Sequence, residues 1–180
     1  EHMIIVFLIK EKRCWKYCIA FKRRNSRWKV YLIFIRSFKS KTNCRANCKS
    51  VRTNSNIKKE LRERNLGKCC GKSVKWLKDN SEYHEVTIDD KLFSDAESRR
   101  DEWNRLTPFF NEIMESQDEN IIIVSHGDLL SVFNMMFLGL PVESLNQFEI
   151  WGYSSGISLM SINDQGKRFI KTISNMEYLK

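Results

Sequence analysis

Residues 121–141 constrain the fold more than any other stretch. Ile121-Ile122-Ile123-Val124 is a β-branched run, Ser125-His126-Gly127-Asp128 interrupts it, and Leu129–Leu138 is an apolar helical stretch closed by Gly139 and Pro141. A short strand that is apolar at every position must be covered on both faces, which a parallel sheet flanked by helices provides. Strand, glycine-containing turn and helix in that order form the βα half of such a unit. The chain is therefore expected to be an α/β protein.

The surrounding sequence agrees. Glu97–Ser116 carries Trp103, Leu106, Phe109, Phe110, Ile113 and Met114 at helical spacing. Residues 148–151, 157–162 and 168–173 read as strands, the last two joined by a turn at Asn163-Asp164-Gln165-Gly166. Ile4–Ile9 reads as a further buried strand and Val30–Ile35 as strand-like. With 180 residues, one domain over residues 4–180 is expected, after a Glu1-His2-Met3 opening that looks like a cloning remnant. The longest apolar run, Met3–Ile9, is too short to span a bilayer and lacks a cleavage site, so the expected location is the cytoplasm.

Charge divides the chain. Residues 10–58 hold sixteen Lys or Arg and one acid, Glu11, a local charge of +15, whereas the remainder totals −6. The same segment has no Gly, Pro or Asp, and so almost no turn vocabulary, yet contains Trp15, Trp28 and four of the six cysteines. Three readings follow. A basic stretch dotted with aromatics suits non-specific nucleic-acid binding. Cys14, Cys18, Cys44 and Cys48 could form a four-thiolate zinc site, although their three-residue gaps are looser than usual. The third reading depends on the motifs below.

His126, at the carboxyl end of a buried strand and the start of a helix, stands where open α/β sheets bind ligands and where backbone N–H groups favour phosphate. Leu61-Arg62-Glu63-Arg64-Asn65-Leu66-Gly67 places one carboxylate between two arginines, an arrangement suited either to a proton donor beside an anion or to a solvated loop. Glu97-Ser98 opens the long helix, with Arg105 two turns on; by itself this is a capping feature.

Taken in order, Leu61-x-Glu63-x-x-x-Gly67, Glu97-Ser98 with Arg105, and Val124-Ser125-His126-Gly127 resemble the histidine phosphatase superfamily, in its phosphoglycerate mutase-like branch, over residues 59–175. The resemblance implies a three-layer α/β sandwich with a mostly parallel central sheet, the N-terminal third being left unassigned. It implies a phosphate monoester hydrolase or phosphomutase acting through a phosphohistidine, on a small phosphorylated substrate or phosphate ion, with no metal or organic cofactor. Glu63 would be the proton donor and His126 the imidazole that stabilises the phosphoryl group, with Arg64 and the Gly127 backbone beside the phosphate. An incompletely covered sheet edge would favour a homodimer.

The family's nucleophilic histidine, in an Arg-His-Gly motif directly after the first strand, is missing: Lys10-Glu11-Lys12 stand there. The chain is accordingly expected to be impaired or inactive. His84 lies in a polar stretch and reads as surface. Codons compatible with Ile35–Cys48, read one nucleotide later, permit Ser-x-Leu-Leu-Arg-Ala-Lys-Gln-Thr-Ala, the family's phosphate-binding segment. Residues 11–57 thus look frame-shifted, which would account for their composition and is the third reading of the basic segment.

Overall fold

The computed structural model describes the backbone of residues 2–8, 29–32, 55–153 and 156–177, with side chains from residue 56 onward within those ranges. Six strands, β1 (His2–Leu8), β2 (Lys29–Leu32), β3 (Ser55–Ile57), β4 (Asn120–Ser125), β5 (Ile157–Ile162) and β6 (Arg168–Asn175), form one sheet in the order β3-β2-β4-β1-β5-β6. The β1–β4, β2–β3 and β2–β4 pairings are parallel, and β1–β5 and β5–β6 are antiparallel. The helices are α1 (Val74–Asn80), α2 (Arg99–Met114) and α3 (Gly127–Phe137).

The βα reading of residues 121–138 holds: β4 leads through His126 into α3. Ile121 and Ile123 join the core formed by α2 and α3, where Phe110 and Phe133 meet edge to face with centroids 5.5 Å apart. Ile122 and Val124 alternate to the other face and are equally buried. Helix α2 starts where Ser98 and Asp101 exchange side-chain and backbone hydrogen bonds in a capping box. Helix α3 has no basic residue in its last turn, and Arg168 of β6 supplies that charge by donating to the carbonyls of Met136 (3.2 Å) and Phe137 (3.0 Å).

Three expectations need correction or qualification. The first strand, expected over Ile4–Ile9, runs over His2–Leu8, with His2 opposite Ile162 and Met3 opposite Ser161. Residues 148–151 are a loop and join no strand of the sheet. The loop's polar groups are met by side chains instead: Asn134 Nδ2 donates to the Ile150 carbonyl at 3.2 Å and Glu149 turns to Arg99. Of the basic segment, residues 29–32 and 55–57 pair in the sheet, whereas Cys14, Cys18, Cys44, Cys48 and Lys10–Lys12 lie outside the described residues. Among the described residues, no helix is long and apolar enough to cross a membrane.

Chain direction fixes where a ligand can enter. The chain leaves β1 toward the β2–β3 edge and leaves β4 toward the β5–β6 edge, so their adjacent carboxyl ends, Leu8 beside Ser125, flank a topological switch point. Strand β5 begins at the same end, with Ile157 opposite Phe7.

Candidate active site

Glu63 reaches this end through a short chain of contacts. Leu61, fully buried, anchors a 3-10 turn at Lys59–Leu61, and its carbonyl accepts a hydrogen bond from the buried Ser125 hydroxyl at 2.9 Å. The end of β4 therefore holds the Leu61–Arg64 segment directly. Gly67, the glycine of the motif, has φ +61, and a Cβ there would lie 2.1 Å from Asp95 Oδ1, so a side chain at this position would both strain the turn and collide.

The result brings Glu63 Oε2 to 3.6 Å from His126 Nδ1. Glu63 Oε1 accepts the Arg64 N–H at 3.3 Å, and the Leu129 N–H in the first turn of α3 also faces the carboxyl. His126 is the N-cap residue of α3 with extended backbone (φ −106, ψ 165), and its side chain caps nothing, leaving the imidazole available. Burial pushes the His126 imidazole below its ordinary value, so it is neutral at pH 7. Glu63 is pushed up to about 7, first by burial and then by the negative charge of Asp128. A half-buried carboxyl that holds its proton to neutrality beside a neutral imidazole can donate that proton to a leaving oxygen.

Arg64 does not face this opening. Only 8% exposed, its guanidinium makes two hydrogen bonds to Glu85 (2.7 and 3.2 Å), while Nε pairs with Asp128 Oδ2 at 3.2 Å. The charge of Arg64, expected beside a phosphate, is shared here with the carboxylates of Glu85 and Asp128. Arg62, its neighbour, turns to Glu97, which also receives Arg105 Nε (3.1 Å) and the Asn65 N–H (2.8 Å). The Glu97-Ser98 signal is thus a clamp on the Glu63 loop joined to a helix cap.

Behind Glu63 lie groups the motifs did not single out. Asp128 pairs with both Arg64 and Arg99, and Arg99 continues to Glu149 at 2.6 Å. Glu102 is fully buried, neither of its oxygens has a hydrogen-bond partner, and it lies 3.5 Å from Arg99 and 3.8 Å from Arg105. Burial, reinforced by Asp128, pushes it up to about 8. One sequence signal could have found it: Glu102, Leu106, Phe109 and Ile113 follow one helical stripe, so a carboxylate occupies an apolar position.

Oxygens of Glu63, Glu102 and Asp128 lie within 4.8 Å of one another, close enough to share a cation. The donor set does not suit one, because Arg64 and Arg99 already pair with Asp128. His84 is exposed, as expected, and Cys69 is packed with Phe93 and Ala96 rather than displayed.

The sequence model of the histidine phosphatase superfamily (branch 1) matches residues 41–175. The chain belongs to this superfamily. No curated protein matches it by sequence. Among solved structures, Bacillus stearothermophilus YhfR superposes with TM-score 0.73 at 13% identity, covering 100% of both chains. A mycobacterial glucosyl-3-phosphoglycerate phosphatase in complex with inorganic phosphate gives 0.69 at 13% identity, over 97% of this chain and 96% of the other. The alpha-ribazole phosphatase of Shigella flexneri gives 0.65 at 15% identity, over 96% of each. These likenesses show that the chain shares the fold of those phosphatases.

Proposed function

We propose that this chain binds phosphate monoesters at the opening between Glu63, His126 and the start of α3, as a histidine phosphatase whose turnover is weak or absent. The observation that carries the reading is the 3.6 Å approach of the Glu63 carboxyl to the His126 imidazole at the carboxyl end of β4. The Gly127 N–H, in the unsatisfied first turn of α3, would face the phosphoryl oxygens, His126 would share their charge, and Glu63 would protonate the departing alcohol oxygen. Arg64 and Asp128 would hold this arrangement from behind. The sheet would be the middle of three layers, a reading supported by the burial of Ile122 and Val124 on the face turned away from α2 and α3.

Transfer through a phosphohistidine needs a nitrogen in line with the leaving oxygen. The family motif would put that histidine directly after β1, where this sequence has Lys10, Glu11 and Lys12. Phosphate binding without efficient turnover is the consequence. The test is a titration of the full chain with inorganic phosphate, followed by the His126 ring resonances, alongside a p-nitrophenyl phosphate assay. The expected result is a saturable His126 shift with turnover near the buffer rate. An unperturbed His126 would remove the binding reading, and robust turnover abolished by His126→Ala would show that another group serves as nucleophile.

A further inference from the structure

The arginines around the site are matched one for one. Arg62 and Arg105 meet Glu97, Arg64 meets Glu85 and Asp128, and Arg99 meets Asp128 and Glu149. Four guanidinium groups thereby balance four carboxylates. Glu63 and Glu102 are left over, and a phosphoryl dianion at the Glu63–His126 opening adds to whatever negative charge those two carry.

Glu102 is the more confined of the two. It is fully buried on α2, neither of its oxygens has a hydrogen-bond partner, and Arg99 and Arg105, held by other carboxylates, stand off at 3.5 and 3.8 Å. Yet an oxygen of Glu102 lies within 4.8 Å of oxygens of both Glu63 and Asp128. The charged groups that face it are Arg99 and Arg105 on its own helix, Arg64 and Glu63 from the motif segment, and Asp128 from the first turn of α3. At this depth little water intervenes, so a charge on Glu102 acts on Glu63 and Asp128 more strongly than a surface charge at the same distance.

We infer that Glu102 is a positioning residue of the phosphate site: its buried carboxyl must hold a proton for the opening at Glu63 and His126 to accept a phosphoryl dianion. The inference rests on the phosphate-binding reading above. With protons on both Glu63 and Glu102 the network carries no excess charge. An ionised Glu102 would set a like charge beside Glu63 and draw Arg99 from Asp128 and Arg105 from Glu97, loosening the first turn of α3 and the Glu63 loop together. Burial and Asp128 push the Glu102 carboxyl up to about 8, so its proton is present at neutrality and leaves in mildly alkaline solution. Proton and anion are then linked reciprocally, each favouring the other.

The experiment titrates the full chain and Glu102→Gln with inorganic phosphate near pH 7 and near pH 9, following the His126 ring signals. His126 is neutral across that range, and the ionisation of Glu63 and of phosphate itself affects both proteins alike. Parent and variant should bind alike near pH 7. Near pH 9 the variant should bind about tenfold more tightly, the ratio expected when only the protonated form of a group titrating at about 8 admits the anion. Independently of the variant, saturating phosphate should move the Glu102 carboxyl titration upward in the parent chain. Equal affinities near pH 9, or a Glu102 midpoint that phosphate leaves in place, overturns the inference while the phosphate site stands. A variant weakened by the same factor at both pH values also overturns it and makes Glu102 a packing residue. If phosphate moves His126 in neither protein near pH 7, the phosphate-binding reading fails and the inference with it.

Discussion

Glu97 and Glu102 lie five residues apart, on either side of the start of α2, and meet opposite electrostatic fates. Around Glu97, burial is outweighed by hydrogen bonds from Arg62, the Asn65 N–H and Arg105, which hold the carboxyl below its ordinary range. Around Glu102, burial dominates, no hydrogen bond compensates it, and Asp128 adds like charge. Glu63 belongs to the second environment, although Arg62 beside it belongs to the first. The lesson is that arginine count does not decide a carboxyl's state. Both clusters contain arginines, but those near Glu63 and Glu102 are shared with Asp128, Glu85 and Glu149, and the surplus negative charge is relieved by retained protons.

The sharpest way to break this contrast is Glu97→Ala. Removing the anion leaves Arg62 and Arg105 without their partner and frees the Asn65 turn, so a loss of about 4 kcal/mol is expected from denaturant unfolding. Glu102→Gln should act in the opposite sense, and only at high pH. A carboxyl whose folded value is raised from 4.5 to about 8 binds more protons when folded, so its destabilising effect grows as pH rises between those values. The variant should therefore nearly match the parent at pH 5 and exceed it by about 4 kcal/mol near pH 9 in the same unfolding measurement. Glu97 gives the mirror image in the parent chain: its contribution is present above the ordinary carboxylate range and disappears as pH falls through its lowered value.

Two smaller changes sharpen the comparison. Asp128→Asn removes the like charge beside Glu63, so the Glu63 titration midpoint should move down toward 4.5, as read by carboxyl NMR. A midpoint that stayed in place would assign the whole effect to burial. Ser125→Ala removes the 2.9 Å bond to the Leu61 carbonyl and should cost about 1 kcal/mol in denaturant unfolding, with a weakened Glu63–His126 approach visible as altered His126 ring shifts.

Much of this could be read from the sequence, for identifiable reasons. Residues 121–138 declare a βα unit because a wholly apolar strand and a glycine-bounded apolar helix leave few other arrangements. The Leu61–Gly67 motif is legible because Gly67 is required by both its backbone angle and Asp95. What misleads is the assignment of partners. Arg64 looks free for phosphate in sequence, yet Glu85 and Asp128, distant along the chain, claim it. Residues 148–151 have strand composition, but strand identity depends on pairing with a sheet edge, which local composition does not specify; here they stay a loop held through Asn134 and Arg99. Glu102 and Glu149 become functional candidates only when folding brings Arg99 between them.

The most direct test of the account is the ¹³C carboxyl titration of Glu63 in the intact chain, with Glu63→Gln used to assign its signal. The account predicts a midpoint near 7, a carboxyl still able to give a proton at neutrality. A midpoint near 4.5 would mean that Glu63 is an ordinary solvated carboxylate, and the proposed role of Glu63 as proton donor would fall.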